Sequence, residues 1–302
     1  MLDLDFAFYN LKSMDRRGIF CRKYILDRLA PVFFSPRVEK LIDLRDLGAR
    51  GCNIRLPLGP GNLRMLEPET QENIVNKSTA ILEDFKLPAM AVDRRHKKQF
   101  SELFKSLPLV FGDNFIKALA SVLVRETLSR RDIKKLVVVG DTDYFADFIN
   151  EISNLGIPVS LQSHHPSRQE VLAYRLLYEK GHAISTSYIK PQQWQRGDLV
   201  LMFDSDQQQL AITYPQAFYI KLGNDACNFA LELEHRLYSN GIDHALHNLA
   251  PILEISLLSK AGIWDRGIEQ NNAKGEEGQC FLLLQELGYE LGLWDLFLDK
   301  AI

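Results

Sequence analysis

The feature that most constrains this chain is a regular alternation of strand-like and helix-like segments that begins near residue 115. FIKALASVLVRETL (115–128) places Ile116, Leu119, Ala120, Leu123 and Val124 at helical spacing. KKLVVVG follows, a β-rich run that stops at Gly140. DYFADFINEISNLG (143–156) predicts a helix with Phe145, Phe148, Ile149 and Ile152 on one face and Gly156 at its end. IPVSLQ (157–162) reads as a strand. SRQEVLAYRLLYEKG (167–181) reads as a helix opened by a capping box of Ser167 and Glu170. HAIST, DLVLMFD and FYIKLG give three further strands. Strands that alternate with helices pair in parallel through right-handed crossovers over one sheet. The pattern predicts an α/β fold with a doubly wound parallel sheet over 113–243.

The flanking segments are less regular. FAFYN (6–10) reads as a strand, and PRVEKLIDLRDLG (36–48) predicts a helix ending at Gly48. CNIRLPL (52–58) is a strand, EPETQENIVNKSTAILEDFKL (67–87) a helix and AMAV (89–92) a short buried strand. Residues 1–112 therefore predict a smaller α/β domain of the kind that holds substrate. HALHNLAPILEISLLSKAG (244–262) predicts a helix interrupted near Pro251, and EQNNAKGEEG (269–278) a linker. QCFLLLQELGYELGLWDLFLDKAI is apolar over much of its surface if helical, so it must be buried. Residues 244–302 are expected to pack back as C-terminal helices, across the two domains or against a second copy. A homo-oligomer formed through these helices is the expectation.

Composition excludes several classes. A net charge of −3 gives no electrostatic reason for nucleic acid or anionic membrane as a partner. No apolar run reaches the roughly 20 residues of a membrane span. The first residues, MLDLDFAFYNLKSMDRRG, lack the basic start and apolar core of a secretory signal. The four cysteines, Cys21, Cys52, Cys227 and Cys280, lie far apart, which predicts reduced thiols and a cytoplasmic protein. His164 and His165 are adjacent with no H-E-x-x-H or carboxylate cluster, so no metal is expected. No G-x-S-x-G elbow appears, which argues against a serine hydrolase.

In an open parallel sheet, ligands sit outside the carboxyl ends of the strands. That rule selects Gly140, Asp141, Thr142 and Asp143 after the first strand, and Ser163 to Arg168 after the second. It selects Ser185 to Ser187 after the third, Asp204 to Asp206 after the fourth and Gly223 to Asp225 after the fifth. The first turn departs from the G-x-G-x-x-G of a dinucleotide site: Thr142 takes the second glycine position and Phe145 the third. Asp141 and Asp143 add negative charge where phosphates belong, although Asp143 also reads as a helix cap. After the second strand no acidic residue precedes Glu170 to bind ribose hydroxyls. Ser163, Ser167 and Arg168 suit a 2′-phosphate instead, so NADP is expected before NAD, if either binds. Asp204 and Gly223 mark the nicotinamide end. DRRHKK (93–98) supplies Asp93, Arg94, Arg95 and His96 for an anionic group of a small-molecule substrate between the domains, or simply opens a solvated helix.

With these residues in place, the chain resembles a known group. A smaller α/β domain leads through VFGDNFIKALASVL, a long helix, into a Rossmann-like strand. This order is similar to that of two-domain oxidoreductases of the shikimate dehydrogenase-like and aminoacid-dehydrogenase-like group. The stretches LPLGPGNLRMLEPETQENIVNKSTAILEDFKLPAMAVD and LPLVFGDNFIKALASVLVRETL are also similar in layout to the bacterial long-chain acyl-carrier-protein reductases. The resemblance covers roughly 50–240 and rests on layout more than on identities. It implies an NAD(P)-dependent oxidoreductase. Shikimate dehydrogenases use a Lys and an Asp for proton transfer; Asp113 lies one or two places off the family position, and Lys77 matches by spacing alone. The acyl reductases use a cysteine nucleophile, and Cys227, in the helix start NDACNFALELE, is the cysteine of this region. The missing glycines and the lack of a clear acid/base constellation support a second reading. It is a non-catalytic descendant that senses a small ligand or assembles with a protein partner.

Overall fold

The computed structural model describes residues 4–12, 15, 18, 22–140, 146–203, 214, 216–226, 231–263 and 277–301. Internal contacts divide the chain into two units, each interrupted: Met1–Asp113 with Leu231–Asn272, and Asn114–Ala230 with Ala273–Ile302. The three consecutive stretches expected from sequence (1–112, 113–243 and 244–302) thus become two discontinuous ones. Residues 231–272 return to the first unit and 273–302 to the second.

The first unit is built on a sheet of β1 (Phe6–Leu11), β2 (Arg37–Leu44), β3 (Ala49–Leu56), β4 (Met90–Val92) and β5 (Leu109–Val110). Its order is β2-β3-β1-β4-β5; β2 runs antiparallel to β3 and the other pairs are parallel. Around it lie α1 (Lys23–Phe33), α2 (Pro60–Met65), α3 (Pro68–Asp84) and α4 (Lys97–Leu103). Tyr9 of β1 meets Phe100 and Phe104 edge-on, each at 5.6 Å between ring centres, the offset geometry that aromatic quadrupoles favour.

The helix expected over 36–48 is instead β2 followed by a 3-10 turn at Arg45–Leu47. Its apolar residues fit both periods. Val38 and Leu41, at helical spacing, are exposed, whereas Ile42 and Leu44, two apart, are buried. Pairing with β3 decided between them, as tertiary context often does. Gly48 ends the turn in the left-handed region, φ 57°.

The returning segment adds two helices to this unit, numbered in chain order after those of the second unit: α8 (Leu231–Ser239) and α9 (Leu246–Lys260). α9 is apolar nearly all round and buries every residue from Leu246 to Leu258. It packs on β1, β3, β4 and β5. The interruption expected at Pro251 is not there: the helix runs through it. Gly112, just after β5, has φ 81°, and a Cβ on it would stand 2.6 Å from Ala250 and from the nitrogen of Pro251. Only a glycine permits both that conformation and that approach.

The second unit contains the doubly wound parallel sheet read from sequence. α5 (Asp113–Arg130) leads into β6 (Lys135–Val139), α6 (Ala146–Ser153), β7 (Val159–Ser163), α7 (Pro166–Lys180), β8 (Ile184–Tyr188), β9 (Asp198–Met202) and β10 (Phe218–Lys221). The order is β10-β9-β6-β7-β8, with all pairs parallel. Counted within the unit this is 3-2-1-4-5, which reverses direction between β6 and β9 and makes a Rossmann-like switch point there. The predicted capping box does not form. His165 is the N-cap of α7 without a side-chain bond, and Pro166 takes the first helical position. A proline there is already set for the helix and has no N–H to leave unpaired.

The terminal apolar segment is two helices, α10 (Glu277–Glu290) and α11 (Asp295–Ala301), separated by a turn with Gly292 at φ 64°. Phe281, Leu284, Trp294 and Phe297 are buried. Phe115 of α5 lies 5.5 Å from the Trp294 ring and 5.8 Å from Phe297. The four buried side chains pack within their own unit, while Tyr289 and Leu291 are 53% and 39% exposed. Most of the expected linker, 269–276, and Cys227 lie outside the described residues.

Candidate functional site

The carboxyl edge of the first unit's sheet gathers the charged residues. β4 ends at Val92, and Asp93 opens the 3-10 turn Arg94–His96 that precedes α4. Asp93 is buried, 4% exposed. Its Oδ1 accepts the Arg95 backbone N–H at 2.9 Å, and its Oδ2 accepts the Arg95 Nη2 at 2.7 Å. His96 Nε2 and His247 Nε2 lie 4.0 and 3.8 Å from the same Oδ2. Burial holds His96 below its ordinary value of 6.5, against a smaller opposing pull from Asp93.

Arg94 and Lys97 turn to a different carboxylate. Arg94 Nη1 is 2.6 Å from Asp113 Oδ1, in ionic contact without hydrogen-bond alignment. Lys97 Nζ donates to Asp113 Oδ2. The charge run DRRHKK is therefore not a uniform solvated face: Arg95 and His96 meet Asp93, and Arg94 and Lys97 meet Asp113. Lys77, expected beside Asp113, is on α3 and donates to Ser35 Oγ at 2.8 Å. The structure brings Lys97 to Asp113 instead.

Beside Asp93 opens a cavity of about 280 Å³ lined by the ends of β1, β3 and β4 and by the segment before α9. Asn10, Lys12, Arg55, Arg95, His96 and Asn248 face it. Arg55 is held by Glu39 at 2.7 Å. Asn248 is 2% exposed; its Nδ2 donates to the Asp243 carbonyl at 3.0 Å, while its Oδ1 has no hydrogen-bond partner. A buried acceptor without a donor costs free energy until a ligand supplies one. Sequence reasoning missed Asn10, Lys12, Arg55 and Asn248. The strand-end rule, applied to this sheet too, finds the first three; Asn248 is concealed within an apolar helix.

In the second unit, Gly140 is buried with φ 136°. Its N–H donates to the Gln162 carbonyl at 2.9 Å, and its carbonyl accepts Gln169 Nε2 at 3.1 Å. Asp141, Thr142, Asp143 and Asp204 lie outside the described residues. Ser163 is buried at the end of β7, and its Oγ accepts the His165 N–H at 3.1 Å. Ser167 and Arg168 are exposed on the first turn of α7. Gly223 is buried after β10, its carbonyl accepting the Ala226 N–H at 2.9 Å. At the end of β7 stands Gln162 rather than a carboxylate, its Oε1 accepting from Trp194 Nε1 at 3.1 Å. Lys117 of α5 pairs with Asp147, in the first turn of α6, at 2.8 Å. Among the described residues, no group of three or more His, Cys, Asp or Glu is placed to hold a metal ion, and no helix is long and apolar enough to cross a membrane.

No protein-family model matches the sequence. No curated protein matches it either. Among solved structures the chain is similar to L-tryptophan dehydrogenase from Nostoc punctiforme, with 11% identity and a TM-score of 0.44 over 97% of this chain and 80% of that one. It is also similar to a chorismate mutase/shikimate 5-dehydrogenase fusion protein from Clostridium acetobutylicum, with 12% identity and a TM-score of 0.33 over 96% and 100%. Neither likeness assigns an activity to this chain.

Proposed function

We propose that this chain is an NAD(P)-linked oxidoreductase-like protein whose first unit binds a small polar molecule bearing an anionic group. The observation that carries the reading is the cavity at the carboxyl edge of that unit. It is lined by the cations Lys12, Arg55 and Arg95 and by the carboxylates Asp93 and Asp243, and it has a buried acceptor on Asn248 that calls for a donor; of the three cations, Arg55 is paired with Glu39 and Arg95 with Asp93. In the second unit, Gly140, Ser163, Ser167, Arg168 and Gly223 stand at strand ends or on the adjoining helix turn, the side where a parallel sheet holds a dinucleotide. A guanidinium beside the end of β7, where Gln162 and Ser163 close the strand in place of a carboxylate, favours a 2′-phosphate and hence NADP over NAD. The cofactor would supply the hydride. His96 lines the same cavity and is the group placed to exchange a proton with a substrate bound there.

A second reading has a specific observation in its favour. Asp113 is in contact with both Arg94 and Lys97, so these charges already satisfy one another without a substrate. In that case the chain binds its ligand without turnover.

Calorimetric titration with NADPH, NADH, NADP and NAD tests the proposal. Micromolar binding with NADPH favoured, weakened at least tenfold by Arg168→Ala, is the expected result. No heat and no melting shift at millimolar cofactor would refute the oxidoreductase reading.

A further inference from the structure

We infer that the α7–β8 face of the second unit is the contact surface of a two-fold dimer of this chain. β8 is the last strand of its sheet. β7 and β9 bury all five of their residues, whereas β8 buries none. The helix above it is equally uncovered. α7 buries only Gln169 and Leu176, while Val171, Tyr174, Leu177 and Tyr178 are 74, 60, 44 and 84% exposed. These four fall at i, i+3, i+6 and i+7, one stripe along the helix. Tyr188 at the end of β8 is 63% exposed. Between strand and helix runs a groove of about 410 Å³ lined by Tyr174, Leu177, Ile184 and Thr186.

The occupant with the best fit is a second copy. An open edge pairs with another strand unless charge, proline or a bulge prevents it. β8 reads ISTSY and carries none of these. An antiparallel pair across a two-fold axis at Thr186 sets Ile184 against Tyr188 of the other copy and Ser185 against Ser187. Apolar then meets apolar and hydroxyl meets hydroxyl. That self-complementarity is what an isologous contact needs, and a foreign strand would have to reproduce it. α7 carries Arg168, Arg175 and Lys180 against Glu170 and Glu179, so two copies bring mixed signs together. The area is also sufficient. Tyrosines present roughly 150–250 Å² each, so three at this exposure with Val171 and Leu177 bury about 600 Å² per copy. Doubled, that is about 1,200 Å², the lower end for a specific interface.

Sedimentation equilibrium of the full chain at micromolar concentration tests this. The expected mass is twice 34.6 kDa. Thr186→Lys, which sets two ammonium groups opposite each other, and Tyr178→Glu should each return it to the single-chain value with unchanged far-ultraviolet circular dichroism. Thr186→Cys should form a disulfide-linked dimer under mild oxidation, a readout independent of any destabilising variant. A wild-type monomer would overturn the inference. So would a dimer that survives both charged variants, or one broken only by Tyr289→Glu on α10. A monomer that pairs with a different protein through Thr186 would overturn it as well.

Discussion

The Lys117–Asp147 pair allows an asymmetry to be predicted. Their side chains are 5% and 15% exposed, and Asp147 stands in the first turn of α6. Breaking a buried pair by removing one partner costs about 3–5 kcal/mol, because the other charge is stranded. The two strandings differ. Lys117→Met keeps the packing of the stem and leaves a carboxylate at a helix N-terminus, where the backbone dipole offsets about 1–2 kcal/mol. Asp147→Asn leaves an ammonium, the more buried of the two charges, without that help. We expect Lys117→Met to cost about 2–3 kcal/mol and Asp147→Asn about 4 kcal/mol. The double variant should cost less than the sum of the single ones by about 2–3 kcal/mol. Urea unfolding followed by tryptophan fluorescence is the assay, since two of the three tryptophans, Trp194 and Trp294, belong to the second unit; Trp264→Phe in every variant removes the third from the signal. Comparison of midpoints requires unchanged slopes. A cost for Asp147→Asn below about 1 kcal/mol, or one smaller than that of Lys117→Met, would refute the reasoning.

Gly112→Ala should destabilise the chain by about 2–5 kcal/mol. Roughly 1–2 kcal/mol comes from the left-handed backbone and the rest from overpacking against Ala250 and Pro251. Thermal unfolding measures it, and a negligible shift would mean that α9 yields at that contact. His96, held low by burial, makes the unfolded state bind more protons between the folded value and 6.5. Its contribution is present above pH 6.5 and is lost as pH falls through the folded value. The stability of wild type relative to His96→Gln should therefore decline from pH 7.5 to 5, and a constant difference in unfolding midpoint across that range would exclude the effect.

Much of the second unit was legible because its strands are short apolar runs separated by amphipathic helices with glycine ends. β2 was not, since Val38, Leu41, Ile42 and Leu44 satisfy two periods and only a neighbouring strand separates them. Asp93 to His96 were legible as a charge cluster, but the division of labour within it was not. Whether Arg94 turns to Asp93 or to Asp113 depends on where β5 delivers the second carboxylate. The Lys–Asp pair was sought at Lys77 by spacing. Lys97 meets Asp113 because β4 and β5 are neighbours in the sheet, a fact of topology. Asn248 carried no signal, being a polar residue beside His247 at the start of a helix that is mostly apolar in sequence.

The interrupted course of the chain has a consequence during synthesis. The sheet of the first unit is complete at Val110, but the helix that covers β1, β3, β4 and β5 ends at Lys260. About 150 residues separate the two, which at roughly 5–20 residues per second is some 8–30 s of translation. Throughout that interval the nascent chain holds a β-sheet with one apolar face open. Co-translational chaperone binding should concentrate in this window. A version of the chain rearranged so that residues 231–263 are made first should emerge from the ribosome less dependent on that help.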